Sequence, residues 1–142
     1  MLVQLSDSVG YKRLTVYYVC FIYFLMIKIT KYQLNFYKTS SGKDIITDFI
    51  INCENNLKNK IRTSIKIFED YGLKLLRTKW LKKIYRSPDI YELRITGRKQ
   101  IRFLFIQYNS QVFLIIHAFV KKTQKIPDKE LKVALKRAKE FI

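Results

Sequence analysis

Between Ile90 and Lys122 three runs rich in β-branched and aromatic residues, IYELRIT, QIRFLFIQY and QVFLIIHAFVKK, follow one another. Only Gly97–Lys99 and Asn109–Ser110 separate them, and connections this short are hairpin turns, so the runs are predicted to pair as an antiparallel meander. In the first run the two-residue period sends Tyr91, Leu93 and Ile95 to one face and Glu92, Arg94 and Thr96 to the other. The fold must therefore supply cover for an apolar sheet face.

The flanking sequence supplies it. Leu34 and Phe36 alternate with polar neighbours from Gln33 to Lys38, which reads as a strand, and Thr39, Ser40, Ser41 and Gly42 read as a turn. From Asp44 to Cys53 the residues Ile45, Ile46, Phe49, Ile50 and Cys53 fall on one helical face, with Asp44, Asp48 and Asn52 opposite. A second helix follows almost without a linker, with Leu57, Ile61, Ile65 and Phe68 on one side, Lys58, Lys60, Arg62 and Lys66 on the other, and Gly72 at its end. The economical arrangement is a helix hairpin packed on the sheet. LKLLRTKWLKKIYRSPD reads as a basic connection. A last helix starts after Pro127, capped by Asp128, with Leu131, Ala134, Leu135, Ala138 and Ile142 apolar. The order strand, helix, helix, three strands, helix is α+β with an antiparallel sheet.

At 142 residues the chain fits one domain. Its 28 Lys plus Arg against 11 Asp plus Glu give a formal charge of +17, which calls for a partner that supplies negative charge. Nucleic acid ranks first, then an acidic protein, then anionic lipid. The two cysteines, Cys20 and Cys53, form no CxxC and accompany a single histidine, so neither a disulfide framework nor a metal site is supported, no cofactor is expected, and a reducing cytoplasm fits. Residues 16–27, VYYVCFIYFLMI, are apolar throughout but shorter than the roughly 20 residues of a spanning helix, and no small-residue cleavage site follows them. They read as an extra strand or buried segment, or as part of an extension ahead of a domain opening at Met26. The abrupt change to charged, patterned sequence after Met26 favours the extension: residues 1–25 outside the domain, residues 26–142 within it, and no stable membrane association.

Taken together, FYKTSSGK, the helix end EDYGLKLL, YELRI, IRFLFI and HAFVKKTQKIP before an Ala- and Lys-rich helix resemble the phage-derived HigB-like branch of the RelE/ParE toxin superfamily, from about Met26 to the C-terminus. The resemblance implies a RelE-like fold and a type II toxin. It further implies a ribosome-dependent endoribonuclease that enters the decoding site of the small subunit and cuts mRNA, with a cognate antitoxin, HigA-like and of helix-turn-helix type, as its partner.

Cleavage of RNA without a metal has the 2′-hydroxyl attack phosphorus, so the site must stabilise extra phosphate charge and move protons. Arg94 and Arg102, on neighbouring strands, are placed to hold one phosphate; the competing reading of Arg94 is an ion pair, and that of Arg102 is a snorkelling side chain. Lys121 and Lys122 end the third strand, where a solvated terminus is the alternative. His117 has the unperturbed pKa for proton transfer near neutrality, but its setting in LIIHAF equally suits a buried, hydrogen-bonded histidine. Parity puts His117 on one face with Phe119 and Lys121. Lys125 is a candidate phosphate contact, and Tyr91 and Tyr108 are candidates for stacking on an unpaired base. Lys58, Arg62, Lys132, Lys136 and Arg137 would dock the helices on ribosomal RNA or an acidic antitoxin.

Two other functions fit the same sequence. One is a ParE-like gyrase poison, which leaves mRNA intact. The other is a non-catalytic protein that uses its charge for RNA or membrane adhesion.

Overall fold

The structure, a computed structural model, describes residues 31–142, so the apolar run at 16–27, Cys20 and the domain start at Met26 lie outside the described residues. Strands β1 (Gln33–Phe36), β2 (Leu81–Tyr85), β3 (Ile90–Ile95), β4 (Gln100–Gln107) and β5 (Val112–Lys121) form one sheet in the order β1-β5-β4-β3-β2. Helices α1 (Ile45–Ile51), α2 (Asn55–Tyr71) and α3 (Asp128–Ala138) complete an α+β domain, with a 3-10 turn at Gly72–Arg77.

The β3-β4-β5 meander is as expected, with Tyr91 opposite Phe105, Arg94 opposite Arg102 and Arg102 opposite Phe119. Two features correct the sequence reading. The basic connection contains a strand, β2, antiparallel to β3 with Lys82 opposite Glu92 and an irregularity between Lys83 and Tyr85 that obscures its period. In addition, β1 runs parallel to β5, so the sheet is mixed and not wholly antiparallel. The first helix spans fewer residues than the apolar pattern suggested: Asp44 is its N-cap, accepting from Thr47 N at 2.9 Å, and it ends at Ile51 with Asn52 as its C-cap. Asp128 is the first residue of α3; the cap position is Pro127 and has no side-chain cap bond.

Helices α1 and α2 lie on one face of the sheet. There Ile46, Leu57, Ile61 and Phe68 pack on Leu93, Ile101, Phe103, Phe105, Phe113 and Ile115. Phe68 is the hub, edge-on to Phe105 at 4.9 Å and to Phe113 at 5.0 Å, the geometry that aromatic quadrupoles favour. Gly72 closes α2 at φ +53, and a Cβ there would lie 2.5 Å from the Tyr32 ring; only glycine meets both demands.

The other face is covered over part of its width. Ala134 and Ala138 of α3 pack against Leu104, Ile106, Leu114 and Ile116, which belong to β4 and β5. A register shift on β5, between Ile115 and His117, places Ile116 and His117 together on this face. The β2-β3 side is left open next to α3.

Phe68→Ala should cost about 3–5 kcal/mol, because a fully buried ring is lost at the centre of an aromatic cluster. Equilibrium urea unfolding measures this as a fall in the transition midpoint at unchanged slope.

Candidate functional site

The open part of the sheet carries a row of charges. Glu92 is 1% exposed, and its carboxylate lies between two guanidinium groups: Arg94 Nε donates to Oε2 at 2.8 Å, and Arg102 Nε lies 3.0 Å from Oε1. The second contact is electrostatic and not an aligned hydrogen bond. Arg102 is itself 7% exposed, and its Nη1 donates to the Ile101 carbonyl at 2.9 Å. Burial pushes its pKa down, Glu92 pulls it back up and Arg94 again lowers it. An arginine remains protonated through such a shift, so the cluster carries one more positive than negative charge.

Around it lies a depression of about 330 Å³ lined by Lys82, Glu92, Arg94, Lys121, Gln124 and Lys125 together with Ile84, Ile126 and Leu131. Strand parity aims Lys82 and Arg94 to this face, and the chain after β5 brings Gln124 and Lys125 back over it before entering α3. Cations at three sides of a shallow hollow with a charged floor fit a phosphodiester backbone.

Among the residues singled out from sequence, Arg94, Arg102, Lys121 and Lys125 thus come together. Lys122 is exposed and lines a neighbouring depression with Arg98, Lys99 and Lys121, which extends the basic surface along the sheet end. Lys58 and Arg62 lie on α2, on the opposite side of the sheet, and Lys132 and Lys136 are exposed on α3. Tyr91 is 5% exposed and stacked on Phe105 at 5.4 Å within the α1-α2 core, with Lys83 over its ring, so its faces are already occupied and it does not line the basic hollow. Tyr108 is exposed beside Phe141, six residues along the chain from Arg102 and roughly 20 Å away at strand rise.

His117 shares the face of Phe119 and Lys121, and its ring stacks on Phe119 at 5.6 Å. Its nitrogens are both engaged: Arg137 Nη1 donates to Nδ1 at 3.1 Å, which leaves the proton on Nε2 for donation to Glu130. The same Arg137 nitrogen donates to the Ile116 carbonyl at 2.8 Å, and the guanidinium lies over the Tyr37 ring. Burial pushes the His117 pKa down; Glu130 opposes this and Arg137 adds to it. His117 and Arg137 therefore fasten α3 to β5 and do not line the basic depression.

Lys82 and Glu92 belong to the candidate site by position, and the sequence reading did not assign them to it. Lys82 lay in a segment read as a connection, and its signal was the Leu81–Ile84 apolar pair flanking it. Glu92 was assigned only to a face; the signal was that it is the one acidic side chain within three basic strands.

Among the described residues no group of His, Cys, Asp or Glu side chains gathers so as to hold a metal ion, and no helix is long and apolar enough to cross a membrane. Cys53 is half-buried and its thiol donates to the Phe49 carbonyl.

The fold and this basic hollow define a small α+β protein with a strongly cationic depression on its sheet. Residues 48–139 match the family described as Phage derived protein Gp49-like (DUF891), and the chain belongs to that family. The family is a phage-derived, toxin-like one within the RelE/ParE-like superfamily, related to the toxin endoribonucleases of the RelE type, and the architecture is consistent with a RelE-like fold. A search of curated proteins returned no match.

Glu92→Gln should destabilise the fold by roughly 3 kcal/mol, because Arg102 would stay buried without its counter-charge; Lys82→Ala and Lys121→Ala should stay within about 0.5 kcal/mol of the parent, since both side chains reach solvent. Urea unfolding of the three variants provides the comparison. A second expectation concerns pH. A histidine whose folded pKa is depressed binds its proton more readily when unfolded, so its contribution is complete above about pH 6.5 and is lost as pH falls towards the folded value. His117→Gln should weaken the fold at pH 7.5 and flatten the decline as pH falls below 6.5.

Proposed function

We propose that this chain is the toxin of a type II toxin–antitoxin pair and that it cleaves mRNA on the ribosome as a HigB-like, metal-independent endoribonuclease. The observation that carries the reading is the Glu92-Arg94-Arg102 cluster, set in a hollow ringed by Lys82, Lys121 and Lys125 on the part of the sheet that α3 leaves uncovered.

In this reading Lys82, Lys121 and Lys125 bind the RNA backbone. Arg94, held at a fixed orientation by Glu92, donates to the non-bridging oxygens of the scissile phosphate as charge builds on it during attack by the neighbouring 2′-hydroxyl. Arg102 lies beneath it, positions Glu92 and adds field from below. A carboxylate and two guanidinium groups fixed before the substrate arrives need little reorganisation during the reaction, which is where electrostatic catalysis gains most. The lysines that line the hollow are the groups at hand for proton movement at the attacking and leaving oxygens. His117 acts by holding α3, whose first turn follows the Gln124–Lys125 wall.

The partners that follow are an antitoxin of HigA-like type, the small ribosomal subunit and mRNA, in the cytoplasm. The basic outer surfaces of α2 and α3, through Lys58, Arg62, Lys132 and Lys136, suit ribosomal RNA or an acidic antitoxin, and Lys122 prolongs the phosphate track. Residues 26–142 form the toxin domain and residues 1–25 an extension of it.

Inducing the chain in a bacterial host and mapping mRNA ends during growth arrest tests the reading. Cuts should fall within translated codons, and Arg94→Ala should slow them about a hundredfold while leaving the protein folded. Growth arrest with uncut mRNA would move the activity to another target, gyrase among them.

A further inference from the structure

A second hollow shares one lining residue, Arg94, with the first and is chemically unlike it. Strand β2 begins at Leu81, and the last backbone bond on that side of β3 is Arg94 N–H to the Trp80 carbonyl at 2.8 Å. Beyond it, Ile95 and Thr96 have no neighbouring strand on that edge, and a groove of about 400 Å³ opens between them and α2. Trp80, Ile67 and Ile95 supply apolar walls, Asn59 and Thr63 supply an amide and a hydroxyl, and Arg94 lies on the wall of both this groove and the basic hollow.

We propose that the groove is a base-recognition subsite: it takes the unstacked base of the substrate RNA next to the phosphate held at Arg94, stacks it on Trp80 and reads its edge with Asn59 and Thr63. This rests on the ribonuclease reading above and adds to it where sequence preference resides. Three observations converge. The groove is aromatic at one side, with Trp80 38% exposed, as a stacking platform must be. The polar groups are concentrated on α2: Thr63 Oγ1 donates to the Asn59 carbonyl, so its lone pairs face outward as acceptors, and the Asn59 side-chain amide makes no hydrogen bond to the described residues and offers both donor and acceptor. Arg94 lines both the groove and the basic hollow, so a chain whose phosphate is held there passes the mouth of the groove. Lys60 and Arg94 give the slot positive charge beside its aromatic wall, which suits a single-stranded nucleic acid, whose phosphates pair with the cations while its base stacks on Trp80.

Trp80 is the chain's single tryptophan, so its emission reports the groove directly. The full chain would be titrated with a ribonucleotide trimer of each base and with an abasic ribose-phosphate trimer, following Trp80 emission and, on labelled trimers, anisotropy. The four base-bearing trimers should bind and quench, with differing affinity, whereas the abasic trimer should bind without quenching. In cells, Trp80→Ala should lower the rate of mRNA cutting about tenfold, Trp80→Phe should restore most of it, and Asn59→Ala should change which base flanks the cut.

Trimers that bind without altering emission, or Trp80→Ala and Asn59→Ala chains that cut at the parent rate with the parent preference, would overturn the subsite and leave RNA cleavage standing. A rate loss equal at every codon would assign the stacked base to ribosomal RNA and overturn the substrate assignment. Quenching by base-bearing trimers in a chain that never cuts mRNA would keep the subsite and remove the ribonuclease reading. No binding of any trimer would overturn the subsite and pass the groove to a peptide strand along the free edge of β3.

Discussion

The carboxylate of Glu92, buried between Arg94 and Arg102, is the interaction on which the arrangement of the exposed sheet face depends. A guanidinium that is 7% exposed in the middle of β4 is tolerable only with a counter-charge at hand, and the counter-charge is tolerable only because two cations share it. Removing the acid would strand Arg102; removing the arginines would strand the acid. The cluster is thereby held rigid, with Arg94 at its rim, 29% exposed at the side chain and facing the hollow. The same three side chains that the fold requires are the ones the proposed chemistry would use.

The hollow exists because α3 covers only part of the sheet. Its small residues Ala134 and Ala138 let it lie close over β4 and β5, and the Glu130-His117-Arg137 contacts fix it there. The register shift at Ile116 turns two successive residues of β5 towards the helix, one to pack beneath it and one to hold it. With α3 so placed, the loop before it carries Gln124 and Lys125 to the edge of the uncovered region, opposite Lys82 on β2. On the opposite face α1, α2 and the Phe68-Phe105-Phe113 cluster fill the centre, and the opening there is the groove between α2 and the free end of β3.

A net charge of +17 on so small a chain is partly discharged within the fold and largely is not. Pairs such as Lys99–Glu54 and Lys83–Asp89 are exposed and contribute little to stability. The remaining cations around the hollow, at the β4-β5 end and on the outer faces of α2 and α3 make a surface on which a polyanion would be steered and held in a salt-dependent way. That surface accords with a member of a toxin-like family whose relatives include endoribonucleases.

Local pattern alone determined the meander, the helix pair ending at Gly72 and the last helix, because periodicity of two or 3.6 and turn chemistry are properties of neighbouring residues. It also determined that Arg94 and Arg102 would meet across a hairpin, since a short turn fixes register. Strand β2 was not legible: its period is broken by the Lys83–Tyr85 irregularity, and its pairing with β3 is decided by the partner and not by its own composition. The parallel pairing of β1 with β5 joins residues about eighty positions apart, which no local signal encodes. Tertiary structure alone decided that Tyr91 is core and that His117 is a fastening, because both depend on which sheet face each helix covers. It alone decided that Glu92, one acid among many basic residues, would be the pivot of the site, since charge pairing in a buried place is a property of distance and burial, neither of which is written in the order of residues.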